Sequence, residues 1–419
     1  MITLDLRHAI GRAVSDAGFG AGASGQGVSG LPDPGLRPGG EPGQYASSVA
    51  FGLATSVKND PEFIAARLAA CLEGGEAGGE PWIATAAVTG RGYVTVTITE
   101  TALEKVADRV AAAGPACVRS GALVGSTYPQ PARAEALAAA TWEEARERLT
   151  AELTARLAEA AGATENGRVG EPGRDGPIRS GESSGERRRG PAAAVAFAGR
   201  DAVRFSLARL VPGQPADIDP EKIARHHPGN PAYAVRYAHA RAASGVRWAA
   251  AADPDLAGPQ RPPADPEELA LLDALSWLPE RVATAARRGR PDEFARYLEH
   301  VANVTLATLT RPRAPGQRPR RPGSDRLTLA SAARTGLAAG LTLLGVSAPD
   351  RLLDKATGED QRHEPCRSPR GPPVRGCAAR RSPARAAGRP EHAGGGHLAA
   401  ERDAGRRERR AHARGHGRA

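Results

Sequence analysis

Cysteine is scarce in this chain, and the few cysteines form no recognisable pattern. Only four occur among 419 residues, namely Cys71, Cys117, Cys366 and Cys377. Their wide spacing fits neither a disulfide framework nor the paired ligands of a structural zinc site. We therefore predict no metal site and no fold that depends on disulfide bonds.

Long apolar runs are also missing. The longest apolar-leaning stretch, residues 337–346, is far shorter than the roughly 20 residues that a membrane-spanning helix needs. Residues 1–14 carry Asp5, Arg7 and Arg12 and have no apolar centre of the kind that secretory signals require. We expect a cytoplasmic protein with no membrane partner.

No nucleotide-binding loop is visible in the sequence. The pattern G-x-x-x-x-G-K-[ST] does not occur, and the stretch GALVG at residues 121–125 has too few glycines and no lysine. The sequence therefore predicts no ATP site, no cofactor and no catalytic residue.

Charge is unevenly distributed along the chain. The formal net charge is +10, and residues 361–419 alone carry 15 Arg, no Lys and 5 acidic residues. The remainder is neutral overall, although residues 195–355 hold 23 basic and 17 acidic side chains. A mildly basic second half fits a partner that bears phosphates, and it also fits an ordinary solvated surface.

The last residues, 354–419, differ in composition from the rest. After Lys355 they contain no Ile, Phe, Tyr, Trp, Lys or Asn. An Arg/Gly-rich tail of this kind binds phosphate without sequence preference. We prefer the hypothesis that the tail is the product of a GC-rich gene read in a shifted frame. Peptides beyond Arg362 in native protein would contradict it.

The hydrophobic pattern of residues 1–353 predicts a mainly α protein. Residues 1–113 combine helical periodicity with the alternating strand signal YVTVTI, and they predict a small α+β domain with a flexible Gly/Pro-rich insertion at residues 20–43. Residues 114–190 predict one helix, opened by a Thr141 capping box, and then a long disordered linker. Residues 191–353 predict a helical bundle large enough to bury a core.

One predicted helix of that bundle carries an unusual face. Asn230 and Pro231 favour a helix start, and Tyr233, Tyr237 and Arg241 then recur every four residues. Two phenol rings and a guanidinium on one face suit base stacking and phosphate contact. The alternative is that the tyrosines are half-buried core residues and the arginine is merely solvated.

Four sequence blocks occur in the order found in one family. The stretches GRDAVRF at residues 199–205, DID at 217–219, NPAYAVRYAHAR at 230–241 and LLGVSAPDRL at 343–352 resemble G-x-D-A-L-R-Y, F-D-L-D, N-P-x-Y-x-V-x-Y-A-H-A-R and L-L-G-I-x-A-P-E-R-M. These are blocks of the DALR-type anticodon-binding domain of arginyl-tRNA synthetases. The resemblance implies a helical bundle that binds tRNA.

The first part of the chain resembles the N-terminal domain of the same family. Residues 43–50, GQYASSVA, are similar to G-D-Y-x-S-N-x-A, and residues 88–96, VTGRGYVTV, are similar to V-A-G-P-G-F-I-N-I. In that family this domain reads the elbow of the tRNA. The resemblance therefore implies that Tyr45 contacts RNA.

The catalytic part of the family has no counterpart in the sequence. Neither an H-I-G-H nor a K-M-S-K-S motif occurs, and the interval of residues 100–190 is too short for a nucleotide-binding sheet. The leading hypothesis is a non-catalytic tRNA-binding protein, with arginine-specific tRNA as partner. A second hypothesis is a scaffold that has lost RNA binding and binds a protein, such as an aminoacyl-tRNA synthetase. A third, arginine–tRNA ligase activity with ATP, conflicts with the missing motifs.

Roles for individual residues follow from the leading hypothesis. We predict that Tyr233 and Tyr237 stack on anticodon-loop bases and that three arginines hold phosphates: Arg204, Arg236 and Arg241. Asn230 and His239 are expected to shape the helix. Asp201 is expected to be structural, as a local cap or as a partner of Arg204.

Overall fold

The structure is a computed structural model of the whole chain, and it describes residues 2–19, 33–74, 80–131, 134–169, 190–216, 218–250, 265–310 and 324–352. Residues 1–355 form one compact unit. The predicted tail, most of the predicted linker and the first part of the predicted insertion lie outside the described residues, as do Asp217 of the DID block, Cys366 and Cys377.

Helices dominate the described residues, which confirms the predicted fold class. In chain order they are α1 Ile2–Asp16, α2 Val49–Val57, α3 Pro61–Gly74, α4 Glu100–Ala113, α5 Trp142–Ala160, α6 Pro191–Ala198, α7 Arg200–Ala208, α8 Pro220–Ala224, α9 Pro231–Ala250, α10 Pro266–Ser276, α11 Leu278–Arg288, α12 Pro291–Thr310 and α13 Ser324–Leu343.

A small antiparallel sheet lies in the N-terminal part. Its strands run in the order β1 Arg37–Pro38, β2 Gln44–Ser47, β4 Tyr93–Ile98 and β3 Ile83–Thr89. Strand β4 alternates buried and half-buried side chains, as the YVTVTI pattern predicts. Residues 33–43 are more ordered than their composition predicts, because β1 pairs with β2 and Ser47 Oγ donates a hydrogen bond to Pro34 O.

The middle of the chain differs from the prediction of one helix and a linker. Thr141 does cap α5 by accepting a hydrogen bond from Glu144 N, and Leu149, Leu153 and Leu157 bury one face of that helix. Residues 164–169, predicted as disordered, instead form β6 Thr164–Val169, which pairs in parallel with β5 Thr127–Gln130. Pairing across sequence distance overrides the polar, Gly-containing composition of this strand.

The N-terminal part and the helical bundle share one hydrophobic core. Helix α4 packs on α10 and α13, and α1 packs on α11. Thr3 Oγ1 donates to Ser276 O at 3.0 Å, and Arg7 Nη2 lies 2.7 Å from Glu280 Oε2. The predicted boundary near residue 113 therefore marks a change of secondary structure within a continuous core.

Candidate RNA-binding surface

The start of α9 is fixed by the buried side chain of Asn230. Its Nδ2 donates to Ile223 O at 2.7 Å and to Arg225 O at 2.9 Å, and its backbone N–H donates to His227 O. The helix begins at Pro231, as the Asn-Pro signal predicts. Asn230 thus holds the preceding loop against the first turn of the helix instead of capping the helix through its side chain.

That loop brings a third ring onto the two tyrosines of α9. The rings of His226 and Tyr233 lie 5.3 Å apart with planes 16° from parallel, and those of Tyr233 and Tyr237 lie 5.6 Å apart at 12°. We call these three residues the ring ladder. Both tyrosines are half-buried, so part of each phenol remains accessible to a ligand.

Arg241 continues the same face one turn beyond Tyr237. Its side chain is exposed, and among the residues that the structure describes it has neither an ion pair nor a hydrogen-bond partner. Residues 225–250 contain four Arg and no Asp or Glu. The structure thus brings Tyr233, Tyr237 and Arg241 together on one cationic, aromatic face.

Trp248 was missed by the sequence reasoning. It lies in the last turns of α9 and is 79% exposed. The signal was available in the sequence, because Trp248 follows Tyr237 by eleven residues, which is three helical turns plus about 20°. It therefore extends the face of the ring ladder and Arg241 toward the C-terminal end of α9.

The neighbouring face of α9 is occupied by the segment that follows α13. Arg236 Nη2 lies 3.4 Å from Asp201 Oδ2 and donates to Ser347 Oγ at 3.3 Å. Asp201 Oδ1 also accepts a hydrogen bond from Ser347 N. Arg236 is therefore engaged within the protein. The predicted local pairing of Asp201 with Arg204 is wrong, because Asp201 is directed toward Ser347 and Arg236.

His239 also belongs to this neighbouring face. It is 2% exposed, and its Nδ1 lies 3.1 Å from Pro349 O. Burial lowers its pKa below the ordinary value, although the Pro349 carbonyl and Asp350 oppose the shift. Arg247 Nη1 donates to Asp350 O, and Arg334 binds the Asp350 carboxylate through two nitrogens. His239 thus belongs to a cluster of polar contacts that holds the segment after α13 against α9, which agrees with its predicted role in shaping the helix.

Arg204 is not on the surface that the sequence reasoning assigned to it. Its side chain is almost fully buried, with Nε donating to Leu344 O at 2.6 Å and Nη2 lying 2.6 Å from Glu152 Oε1. The guanidinium therefore ties α7 to α5 and to the end of α13. A phosphate has no access to it in this structure.

Tyr45 is buried in the same way. It is 0% exposed, its hydroxyl lies 2.9 Å from Ser276 Oγ, and its ring stacks on Trp277. Burial raises the pKa of this phenol well above its ordinary value. The structure thus gives Tyr45 a packing role, and the implied RNA contact through its side chain is not available.

Two further features bear on the class of site. Across the residues that the structure describes, no three His, Cys, Asp or Glu side chains come together in a way that could hold a metal ion. None of the described helices combines the length and apolar character that crossing a membrane requires.

Comparison with known proteins assigns a family to the segment that carries Tyr237, Arg241 and Trp248. Residues 235–352 match the family described as "DALR anticodon binding domain". The chain is 38% identical over 162 residues to the arginine–tRNA ligase of Paenarthrobacter aurescens, which covers 38% of this chain and 30% of that protein. It is 39% identical over 170 residues to the arginine–tRNA ligase of Kineococcus radiotolerans, which covers 38% of this chain and 29% of that protein.

A solved structure is similar over a different share of the chain. The arginyl-tRNA synthetase of Thermus thermophilus matches at 24% identity and a TM-score of 0.31, over 54% of this chain and 34% of that one. The chain thus spans about 30% of the length of the curated relatives it matches. The resemblance of residues 1–113 to the synthetase N-terminal domain stays a prediction. The C-terminal part of this chain carries a helical DALR anticodon-binding domain related to that of arginyl-tRNA synthetases.

Proposed function

We propose that this chain is a non-catalytic tRNA-binding protein that holds the anticodon arm of a tRNA on α9. The observation that carries the proposal is the ring ladder beside the unpaired Arg241. Tyr237 and Arg241 lie within residues 235–352, which match the DALR family, and the other two rings immediately precede that segment. Stacked rings offer a platform for unpaired bases, and a cation without an internal partner is free to meet a phosphate.

The charge around α9 supports the same partner. No acidic residue occurs in residues 225–250, and the two arginines that face the C-terminal segment, Arg236 and Arg247, already have partners within the protein. Arg225 and Arg241 are exposed and have no side-chain partner among the described residues, and of these two Arg241 continues the tyrosine face one turn beyond Tyr237. Because the two relatives described above are arginine–tRNA ligases, we propose arginine-specific tRNA as the preferred ligand.

The absence of catalysis is part of the proposal. The sequence has no nucleotide loop and neither catalytic motif of the family, so ligase activity would require a catalytic domain that these residues do not supply. A protein scaffold without RNA affinity is the competing function, and the two differ in how binding depends on salt.

Filter-binding titrations of the full chain test the proposal. Arginine-specific tRNA, total tRNA and a double-stranded RNA would be compared at two salt concentrations. We expect salt-sensitive binding that favours arginine-specific tRNA over the duplex. A protein ending at Lys355 would separate binding by the compact unit from binding by the Arg-rich tail. If that shorter protein bound no RNA even at low salt, the scaffold function would replace this one.

A further inference from the structure

The most exposed large apolar side chain in the described part of the chain is Trp248. At 79% exposed, it leaves nearly the whole indole in water, whereas Trp277 is 2% exposed. A large aromatic side chain that is left in solvent at the edge of a charged surface is a typical anchor for a ligand.

The position of Trp248 on α9 relates it to the proposed RNA-binding face. It follows Arg241 by seven residues and Tyr237 by eleven, and both spacings bring side chains to one side of an α-helix. The helical rise places Trp248 about 10 Å beyond Arg241 and about 16 Å beyond Tyr237 along the axis. One face of α9 therefore carries two aromatic groups, the ring ladder and Trp248, with the Arg241 guanidinium between them.

The residues around Trp248 distinguish an RNA ligand from an apolar protein partner. A helix that docks into a protein groove carries further apolar side chains at three- and four-residue spacings. The positions three, four and seven residues before Trp248 are Gly245, Ser244 and Arg241. This face thus offers an isolated ring beside a cation and no acidic residue, which matches a nucleotide and not an apolar surface.

We propose that Trp248 is a second stacking platform for an unpaired base of the RNA. The ligand of α9 is then a single-stranded loop with one base on the ring ladder, another on Trp248, and an intervening phosphate at Arg241. This inference rests on the proposed function of α9. It adds that the ligand must present at least two splayed bases, which a continuous duplex does not do.

Fluorescence anisotropy with the full chain tests the inference. The probes are an end-labelled anticodon stem–loop of arginine-specific tRNA and a fully paired RNA of equal length. We expect Trp248→Ala to weaken stem–loop binding by about 5- to 100-fold and Trp248→Phe to weaken it less, since stacking contributes per ring. Binding of the paired RNA should be unchanged in both variants.

Two variants serve as references in that experiment. Phe63→Ala removes an exposed aromatic side chain from α3 and should leave the affinity unchanged, since the probe lacks the tRNA elbow. Tyr237→Ala reports on the ring ladder. Unchanged melting temperatures would establish that Trp248→Ala folds normally, as expected for a side chain in solvent.

The outcomes separate the two proposals. Wild-type affinity in Trp248→Ala together with weak binding in Tyr237→Ala would overturn the role of Trp248 and leave the proposed function intact. Equal losses for stem–loop and paired RNA would also overturn stacking. If wild-type protein bound no stem–loop at low salt, the proposed function would fail and this inference with it. Tryptophan fluorescence gives a second readout. The part of the emission that comes from Trp248, which is the difference between wild type and Trp248→Phe, should be quenched when the stem–loop binds.

Discussion

The ring of Tyr45 lies 5.1 Å from the indole of Trp277, and the two planes are 25° apart. Tyr45 comes from β2, whereas Trp277 lies between α10 and α11 in the bundle. The Tyr45 hydroxyl also meets Ser276 Oγ, and Gly43 N donates to Asp273 Oδ1 at 3.1 Å. This contact joins the N-terminal part to the DALR domain by direct stacking of the two rings.

We therefore expect Tyr45 to stabilise both parts of the protein at once. Tyr45→Ala should lower the free energy of unfolding by about 3–5 kcal/mol because a fully buried ring leaves a cavity. Tyr45→Phe should cost about 1 kcal/mol through the lost hydrogen bond. Urea unfolding followed by circular dichroism measures both variants.

Tyr93→Phe is the matched control, since Tyr93 is half-buried on β4, and its effect should stay within about 0.5 kcal/mol. The wild-type protein should unfold in one transition. Two separate transitions, with only one shifted by Tyr45→Ala, would argue against a shared core.

Arg204 should contribute to stability and not to RNA affinity. Arg204→Ala removes the donors to Leu344 O and Glu152, and it should lower the free energy of unfolding by about 2–4 kcal/mol. This loss is smaller than that for a fully buried ion pair because Glu152 is partly exposed. Arg200→Ala, which removes an exposed arginine paired with Glu135, should cost less than about 1 kcal/mol. Stem–loop affinity of folded Arg204→Ala should equal that of wild type; a loss would restore Arg204 to the RNA site.

Local patterns predicted much of the fold. The alternation in residues 93–98 gave β4, and Asn230-Pro231 gave the start of α9, because the causes of both lie within a few residues. The strand β6 could not be predicted in this way. Its sequence TENGRV is polar, and it becomes a strand only by pairing with β5, more than thirty residues earlier in the chain.

Local spacing also predicted part of the candidate site. Tyr233, Tyr237 and Arg241 share a face because of their spacing alone. The partners of Arg204 and Asp201, by contrast, come from α5 and from the segment after α13. Burial of Tyr45 likewise depends on how the sheet docks on α10. These contacts join distant parts of the chain, and no local pattern specifies them.

His239 should make stability depend on pH. Its folded-state pKa is lowered mainly by burial, so the unfolded chain binds a proton that the folded protein excludes. Stability therefore falls as pH drops below the ordinary imidazole value of 6.5 toward the lowered folded-state pKa. Thermal melts from pH 7.5 to 5 should show a shallower decline for His239→Gln than for wild type. His8→Gln, on the exposed side of α1, should leave the wild-type slope; equal slopes for all three proteins would contradict this role of His239.

Tyr237 should contribute to RNA binding through its ring. Tyr237→Phe retains the ladder and should bind the stem–loop almost as wild type does, whereas Tyr237→Ala should lose about 1–3 kcal/mol. Equilibrium titration measures the difference, with circular dichroism as the check on folding. If the two variants bound equally well, stacking on this ring would be excluded.

Arg241 should contribute to RNA affinity through its charge and not by recognising particular bases. It has no internal partner among the described residues, so a phosphate at this position displaces counterions instead of breaking an ion pair. Arg241→Gln should weaken binding of different loop sequences by similar factors. It should also reduce the slope of log affinity against log salt by about 0.7, the value for one contact to a single strand. Arg119→Gln, which removes another exposed arginine, is the control and should keep the slope. A loss of affinity in Arg241→Gln with an unchanged slope would mean that Arg241 positions the helix face and does not hold a phosphate.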